Sequence, residues 1–240
     1  MATLTKYPYT QLGHANHGWL DARHHFSFSR YWNPDRTHFG SLRVINDDTI
    51  KAGSGFPPHR HDNMEIITYV RSGAITHRDS LGNEGRTGAG DVQVMSAGSG
   101  VTHSEYNLED IDTTLYQIWI SPHRENVDPR WDTKTFPKNN ATHQLSLLVS
   151  GQPEHEGQGA LFIHQDAAIY GGRMTAGTRI VQHIKHDAYI LVSCGEIDIS
   201  LADQATVSLS QGDGLEVSDA TSCVIVSRTD AEILVIDVPV

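Results

Sequence analysis

His59 and His61 stand two residues apart in GSGFPPHRHDNMEIITYVRSG, residues 53–73, and His103 and Glu105 repeat that spacing in GVTHSEYN, residues 100–107. In an extended backbone alternate side chains share one face, so each pair can aim both side chains at one point. Two adjacent strands carrying these pairs inside a barrel would offer three imidazole nitrogens and one carboxylate oxygen. That donor set suits a divalent transition metal, and an octahedral ion with four protein donors keeps about two positions for water, substrate or dioxygen. Structural zinc more often takes closed tetrahedral sites with thiolates. An isolated His-x-His is usually a surface pair; the second pair and the surrounding glycines turn this one toward metal. Glu65 competes with Glu105 for the carboxylate position, because it shares the parity of His61 if the strand stays regular.

The elements that must position these residues read as strands. Segments rich in β-branched and aromatic residues cover 41–46, 65–71, 74–77, 92–95, 115–120, 160–163, 179–184, 188–194, 196–201, 205–209, 222–226 and 232–238. Turns such as Leu81-Gly82-Asn83 separate them, and no long 3.6-residue period is present. The pattern predicts an all-β sandwich or barrel. Residues 122–142, with Pro129, Pro137 and Asn139-Asn140, are the least strand-like, so the domain boundary is placed there. At an offset of 122 residues, YVRSGAI (69–75) aligns with LVSCGEI (191–197) and GDVQVMS (90–96) with GDGLEVS (212–218). Two copies of one β domain follow from this. The same offset carries His59, His61, His103 and Glu105 onto Val181, His183, Ile225 and Ser227, so the second copy lacks three of the four donors and is expected to be structural. His183 and His186, three apart, do not match a strand face and read as ordinary histidines.

Gly53, His59, His61, Glu65 and Gly73 resemble the first cupin motif with one extra residue before the last glycine, and Gly90, Gly98, His103 and Asn107 resemble the second, with Ser96 where proline is usual. More specifically, GHANHGWLDARHHFSF, LRVINDD, HRHDNMEIITYV, DSLGN, MSAGSGVTHSEYN and LYQIWI resemble the pirin family, closest to its bacterial quercetinase-like members, and HQD at 164–166 extends the likeness weakly. The resemblance implies a bicupin of two tandem jelly-roll barrels: residues 1–135 as the metal-binding cupin and 136–240 as a degenerate one without a metal site. It implies His59, His61, His103 and Glu105 as ligands, leaving Glu65 as hydrogen-bonding support. The implied metal is Fe(II), with Mn, Ni, Co, Cu and Zn as alternatives. The implied activity is a quercetin 2,3-dioxygenase-like ring opening of a flavonol by dioxygen, with loss of carbon monoxide and with Glu105 as the catalytic proton acceptor. Pirins also include members regarded as transcription cofactors, which makes a redox-responsive, protein-binding regulator the rival reading. A cupin hydrolase or isomerase is the third.

Composition narrows the classes further. The 240 residues hold 18 Lys+Arg and 29 Asp+Glu, a net charge of −11, and the sequence pI is about 5.7. Residues 196–240 carry nine acidic side chains and only Arg228 as a base. Such a chain repels phosphate backbones, and no nucleic-acid partner is expected. No apolar run approaches the roughly 18 residues of a membrane span, and the first residues lack an apolar leader segment, so a cytoplasmic protein with no membrane contact is expected. Cys194 and Cys223 are read as reduced. A phosphate loop, a GxGxxG fingerprint and a GxSxG elbow are all missing from the sequence. Nine of the 15 histidines precede residue 110; His14, His17, His24, His25 and His38 are read as hydrogen-bonded structural groups. Trp19, Phe26, Phe28, Tyr31, Trp32 and Phe39 are read as core or a flap, with a flat aromatic substrate as the functional alternative. A monomer is expected.

Overall fold

Short β-branched runs broken by glycine and asparagine turns can bury an apolar face only by pairing into sheets that pack on each other. The computed structural model, which describes residues 1–202 and 205–240, does this twice. Strand accounts for 55% of the chain and helix for 3%. No helix among the described residues is long and apolar enough to cross a membrane.

The chain gathers into two compact units. The first comprises Gly13–Phe136 and Leu161–Gln165; the second comprises Met1–Leu12, Pro137–Ala160 and Asp166–Val240. A division into 1–135 and 136–240 differs from this at residues 1–12, 136 and 161–165. Strand Thr3–Tyr7 pairs with Gly214–Ser218 along its whole length, adding an edge to the second unit, and its exposed, polar TLTKY gave no sign of that.

In the first unit one antiparallel sheet has the strand order Arg130–Lys134, Val92–Ser96, Glu65–Ser72, Thr113–Ile120, Leu42–Ile50, Leu20–His24, Gly13–Asn16. The other has the order Gly55–His61, Val101–Tyr106, Ala74–Asp79, Glu84–Gly88. Leu20, Ala22, Ile50, Val70, Ile75 and Leu115 form a buried core cluster, with Trp19 and Phe56 packed against it. Strand Arg130–Lys134 lies inside the stretch read as least strand-like. It is an edge strand with a mixed, half-exposed RWDTK pattern, so its pairing with Val92–Ser96 leaves little apolar trace.

The internal repeat is present in the backbone. Glu65–Ser72 and Asp187–Cys194 begin 122 residues apart, as do Val92–Ser96 and Gly214–Ser218. Gly73 and Gly195 turn with φ of 72° and 80°, and Gly90 and Gly212 with 76° and 83°, a left-handed conformation that glycine adopts without a Cβ penalty. Val224 lies opposite Val181 as His103 lies opposite His59, yet Val181 is exposed, and the residue buried on the inner face as His103 is remains Ile225.

Glu65 begins the strand after a break in the chain. Asn63 turns with φ of 44°, which moves the backbone from one sheet to the other, and the strand parity linking Glu65 to His61 is lost. Glu65 is instead buried opposite Ser96, whose hydroxyl donates to Oε2 at 2.7 Å. Burial raises its pKa from 4.5 to about 7, despite that hydrogen bond, one from the His164 backbone and nearby Arg130. With the folded pKa above the unfolded one, stability present below about pH 4.5 is lost as pH rises toward 7, by about 3 kcal/mol. Glu65→Gln should therefore unfold at higher denaturant than the parent at pH 8 and match it near pH 4.5. An equal difference at both pH values would show that ionisation of Glu65 is not involved.

Candidate metal centre

Strand Gly55–His61 is the edge of its sheet, which is where Pro57 and Pro58, lacking N–H donors, can be accommodated. Its inner neighbour Val101–Tyr106 alternates buried and half-buried residues, so His103 and Glu105 both face inward. The register places His103 directly opposite His59 and Val101 opposite His61. The ring centroids lie 4.5 Å apart for His59–His103, 4.8 Å for His59–His61 and 5.1 Å for His61–His103, and Trp119 packs edge-on against His61 at 5.0 Å.

One ligand nitrogen from each of His59, His61 and His103 falls within 4.8 Å of the others. His59 Nδ1 donates to the Pro57 carbonyl at 2.8 Å, which uses the single N–H of a neutral imidazole and leaves Nε2 with a bare lone pair. Burial, then neighbouring His59, lowers the pKa of His61 to about 4. Burial, then His59, His61 and His77, lowers that of His103 to about 2. Both shifts favour the uncharged ring at His61 and His103, the form in which histidine binds metal. His103 Nε2 is 3.1 Å from His59 Nε2. Adjacent nitrogens on an octahedral ion with metal–nitrogen bonds of about 2.1 Å stand about 3.0 Å apart, so the spacing fits a shared cation.

Glu105 does not join that trio; it falls within 4.8 Å of His77 and His103 in a second, overlapping group. It is buried, and burial raises its pKa against the influence of His77 and of hydrogen bonds from Gln117 and Thr68. Gln117 Nε2 donates to Oε2 at 2.5 Å and Thr68 Oγ1 to Oε1 at 3.2 Å, while Gln93 Nε2 also donates to Oε1. The carboxylate is therefore held in place by three neutral donors from three neighbouring strands of the facing sheet, Val92–Ser96, Glu65–Ser72 and Thr113–Ile120. Glu65, its rival, is not among the cavity-lining residues.

Beyond Thr68, Gln93 and Gln117, the site holds His77 and Asp48, which the sequence did not single out either. His77, fully buried, lies 3.4 Å from His103 through their Nδ1 atoms and stacks on Trp131 at 4.8 Å and 7°. Its spacing from the other histidines carries no signal, because a neighbouring strand brings it in. Asp48 lines the cavity, is buried, and leaves Oδ1 without a hydrogen-bond partner. Burial, Asp47 and Glu105 raise its pKa well above the carboxylate range, which favours the neutral acid.

The cavity between the two sheets of this unit has a volume of about 730 Å³. Trp19, Phe28, Tyr31, Phe56 and Trp119 line it, with His59, His61, His103 and Glu105 at one wall. The early aromatics thus divide: Phe26 and Phe39 are core, Phe28 and Tyr31 are cavity wall, and Trp32 is 72% exposed. The early histidines divide too. His24 is buried and hydrogen-bonded to Asn46 at 2.7 Å, His14 pairs with Asp21 at 3.0 Å, and His38 is exposed beside Thr37, while His14, His17 and His24 also line the cavity.

Comparison with known proteins agrees with these features. Residues 6–120 match the family described as Pirin, and residues 147–238 match one described as Quercetinase C-terminal cupin domain. A pirin-like protein of Caulobacter vibrioides is 45% identical over 232 residues, 96% of this chain and 97% of its own. A quercetin 2,3-dioxygenase of Escherichia coli K12 is 40% identical over 230 residues, 95% of each chain. The crystal structure of the bacterial pirin YhhW from Escherichia coli in complex with nickel(II) superposes with a TM-score of 0.89 at 39% identity, covering 99% of both chains.

The clamp on His77 yields a packing test. A Cβ at Gly85, which pairs with His77, would meet Trp131 Cη2 at 2.2 Å, whereas one at Gly88 on the same strand would come no closer than 3.4 Å, to Arg86 Nη1. Gly85→Ala should destabilise by about 1–3 kcal/mol and alter tryptophan fluorescence as Trp131 shifts. Gly88→Ala should change urea unfolding far less. Equal midpoints for the two variants would show that Trp131 is not fixed as described.

Proposed function

The chain belongs to the pirin family and has its bicupin fold, and on that premise we propose that it is a metal-dependent dioxygenase opening the ring of a flavonol such as quercetin. In this reading His59, His61 and His103 hold one divalent metal, Fe(II), with Glu105 as the carboxylate partner in the first unit only. The observation that carries it is the convergence of three imidazole nitrogens on the wall of an aromatic-lined cavity. A relative seen with nickel(II) supports a divalent ion and keeps nickel as an alternative.

Bound there, a divalent metal would supply Lewis acidity toward an oxygen-bearing substrate. The chain's own residues do the rest. The cavity volume lies within the range of about 300–1000 Å³ that takes drug-sized ligands, and the faces of Trp19, Phe28, Tyr31, Phe56 and Trp119 suit a flat polyphenol. Glu105, made more basic by burial, accepts the proton of the substrate hydroxyl at a carboxylate oxygen while Gln93, Gln117 and Thr68 keep it oriented. Asp48, favoured as the neutral acid, avoids placing a second anion beside the deprotonated substrate. In this reading, which follows the resemblance to quercetinase-like pirins, both atoms of dioxygen enter the opened product and one ring carbon leaves as carbon monoxide.

Purified protein should contain about one equivalent of metal and bleach quercetin aerobically with matching oxygen uptake. His61→Ala should lose both metal and turnover; Glu105→Ala should slow turnover by about 10²–10⁴. Metal retained by the parent and lost from His61→Ala, with no turnover of any flavonoid, would favour a regulatory pirin. No metal in a fully supplemented preparation would remove the metal centre itself.

A further inference from the structure

His103 has two ring nitrogens, and only one faces the His59–His61 side. Its Nε2 lies 3.1 Å from His59 Nε2, while Nδ1 points the other way, 3.4 Å from Nδ1 of His77. His77 in turn places Nε2 3.1 Å from Asp79 Oδ2. Both side chains of this pair are 0% exposed. Asp79 is saturated: Oδ2 also accepts from Asn83 Nδ2 at 2.8 Å, and Oδ1 accepts from the backbone N–H groups of Leu81 and Asn83 at 2.9 and 3.0 Å. A carboxylate already accepting three hydrogen bonds, and held below the usual carboxylate range, has no proton to give, so His77 donates to it through Nε2–H.

We propose that Asp79 and His77 are a positioning pair that sets the tautomer and donor strength of His103 at the metal centre. With its proton on Nε2, neutral His77 presents a lone pair at Nδ1, which can only accept. His103 must then carry its own proton on Nδ1, and its Nε2 lone pair is left facing the shared site. The negative charge of Asp79, passed along two polarised hydrogen bonds, makes that nitrogen a stronger donor. The sequence spacing fits the arrangement: His77 and Asp79 are an i, i+2 pair on strand Ala74–Asp79, and their register partners are Glu105 and His103. Trp131 stacked on His77 holds the ring in the plane the chain needs. The inference rests on the reading that His103 holds the metal, and it does not depend on which reaction the metal serves.

Two measurements test it. In zinc-loaded, ¹⁵N-histidine-labelled parent protein, long-range proton–nitrogen NMR should find His77 protonated at Nε2 and bare at Nδ1, and His103 protonated at Nδ1. The reverse tautomer at His77 overturns the proposal without any variant having to fold. In Asp79→Asn, and in His77→Phe, which keeps the stack on Trp131, chelator competition should show nickel(II) bound about 10–100-fold more weakly. The midpoint potential of bound iron should also rise, a shift that loosened packing alone would not produce in one direction in both variants. Folded variants with affinity within twofold of the parent and an unchanged potential overturn the relay. A parent protein that takes up no metal at all defeats the metal-centre reading instead, so the two failures are distinguishable.

Discussion

Three imidazole nitrogens crowd together at one edge of the first barrel, His59 and His61 half-buried and His103 buried, where desolvation and neighbouring histidines disfavour the protonated forms of His61 and His103. An imidazole whose N–H is used elsewhere, as His59 Nδ1–H is by the Pro57 carbonyl, presents a lone pair to its neighbours. Such lone pairs repel unless a cation lies between them. The backbone tolerates this arrangement because antiparallel pairing of Gly55–His61 with Val101–Tyr106 fixes His59 against His103 whatever the side chains prefer.

Around that cluster the barrel separates carboxylates by environment. Glu65 and Glu105 are both buried glutamates with raised pKa values, yet they do different work. Glu65 is satisfied by Ser96 away from the cavity and contributes a pH-dependent cost to folding. Glu105 is held by Thr68, Gln93 and Gln117 at the cavity wall, where a displaced proton could be accepted. Asp79, the third kind, collects enough hydrogen bonds, from Asn83, His77 and the Leu81 backbone, to overcome its desolvation and lie below the usual carboxylate range. Donor number and depth act together: Asp79, with the most hydrogen bonds, lies below the usual range, whereas the deeply buried Glu105, with three donors, is still raised by desolvation.

The duplicated architecture isolates what the fold requires from what the chemistry requires. Strand starts and the left-handed turns at Gly73 and Gly195 recur, because hairpin geometry demands them in both copies. Three of the four donor positions do not recur: at the shared offset His59 becomes the exposed Val181, His103 becomes Ile225, buried in the second unit's apolar core, and Glu105 becomes Ser227. The frame is shared and the chemistry is confined to side chains that the frame does not need.

The amino-acid sequence by itself determined the strands, the duplication and the His59, His61, His103 cluster, because period-two spacing and glycine turns are local properties that survive without knowing which strands meet. Edge strands with mixed polarity, such as Thr3–Tyr7 and Arg130–Lys134, left almost no pattern, since an exposed edge constrains few side chains. The choice between Glu65 and Glu105 was open locally and turned on a single left-handed residue, Asn63, that moves the chain between sheets. His77, Asp48 and Gln93 entered the site only in three dimensions. Their positions depend on which strands lie side by side, and long-range pairing, unlike local periodicity, is settled by burial of the whole barrel at once.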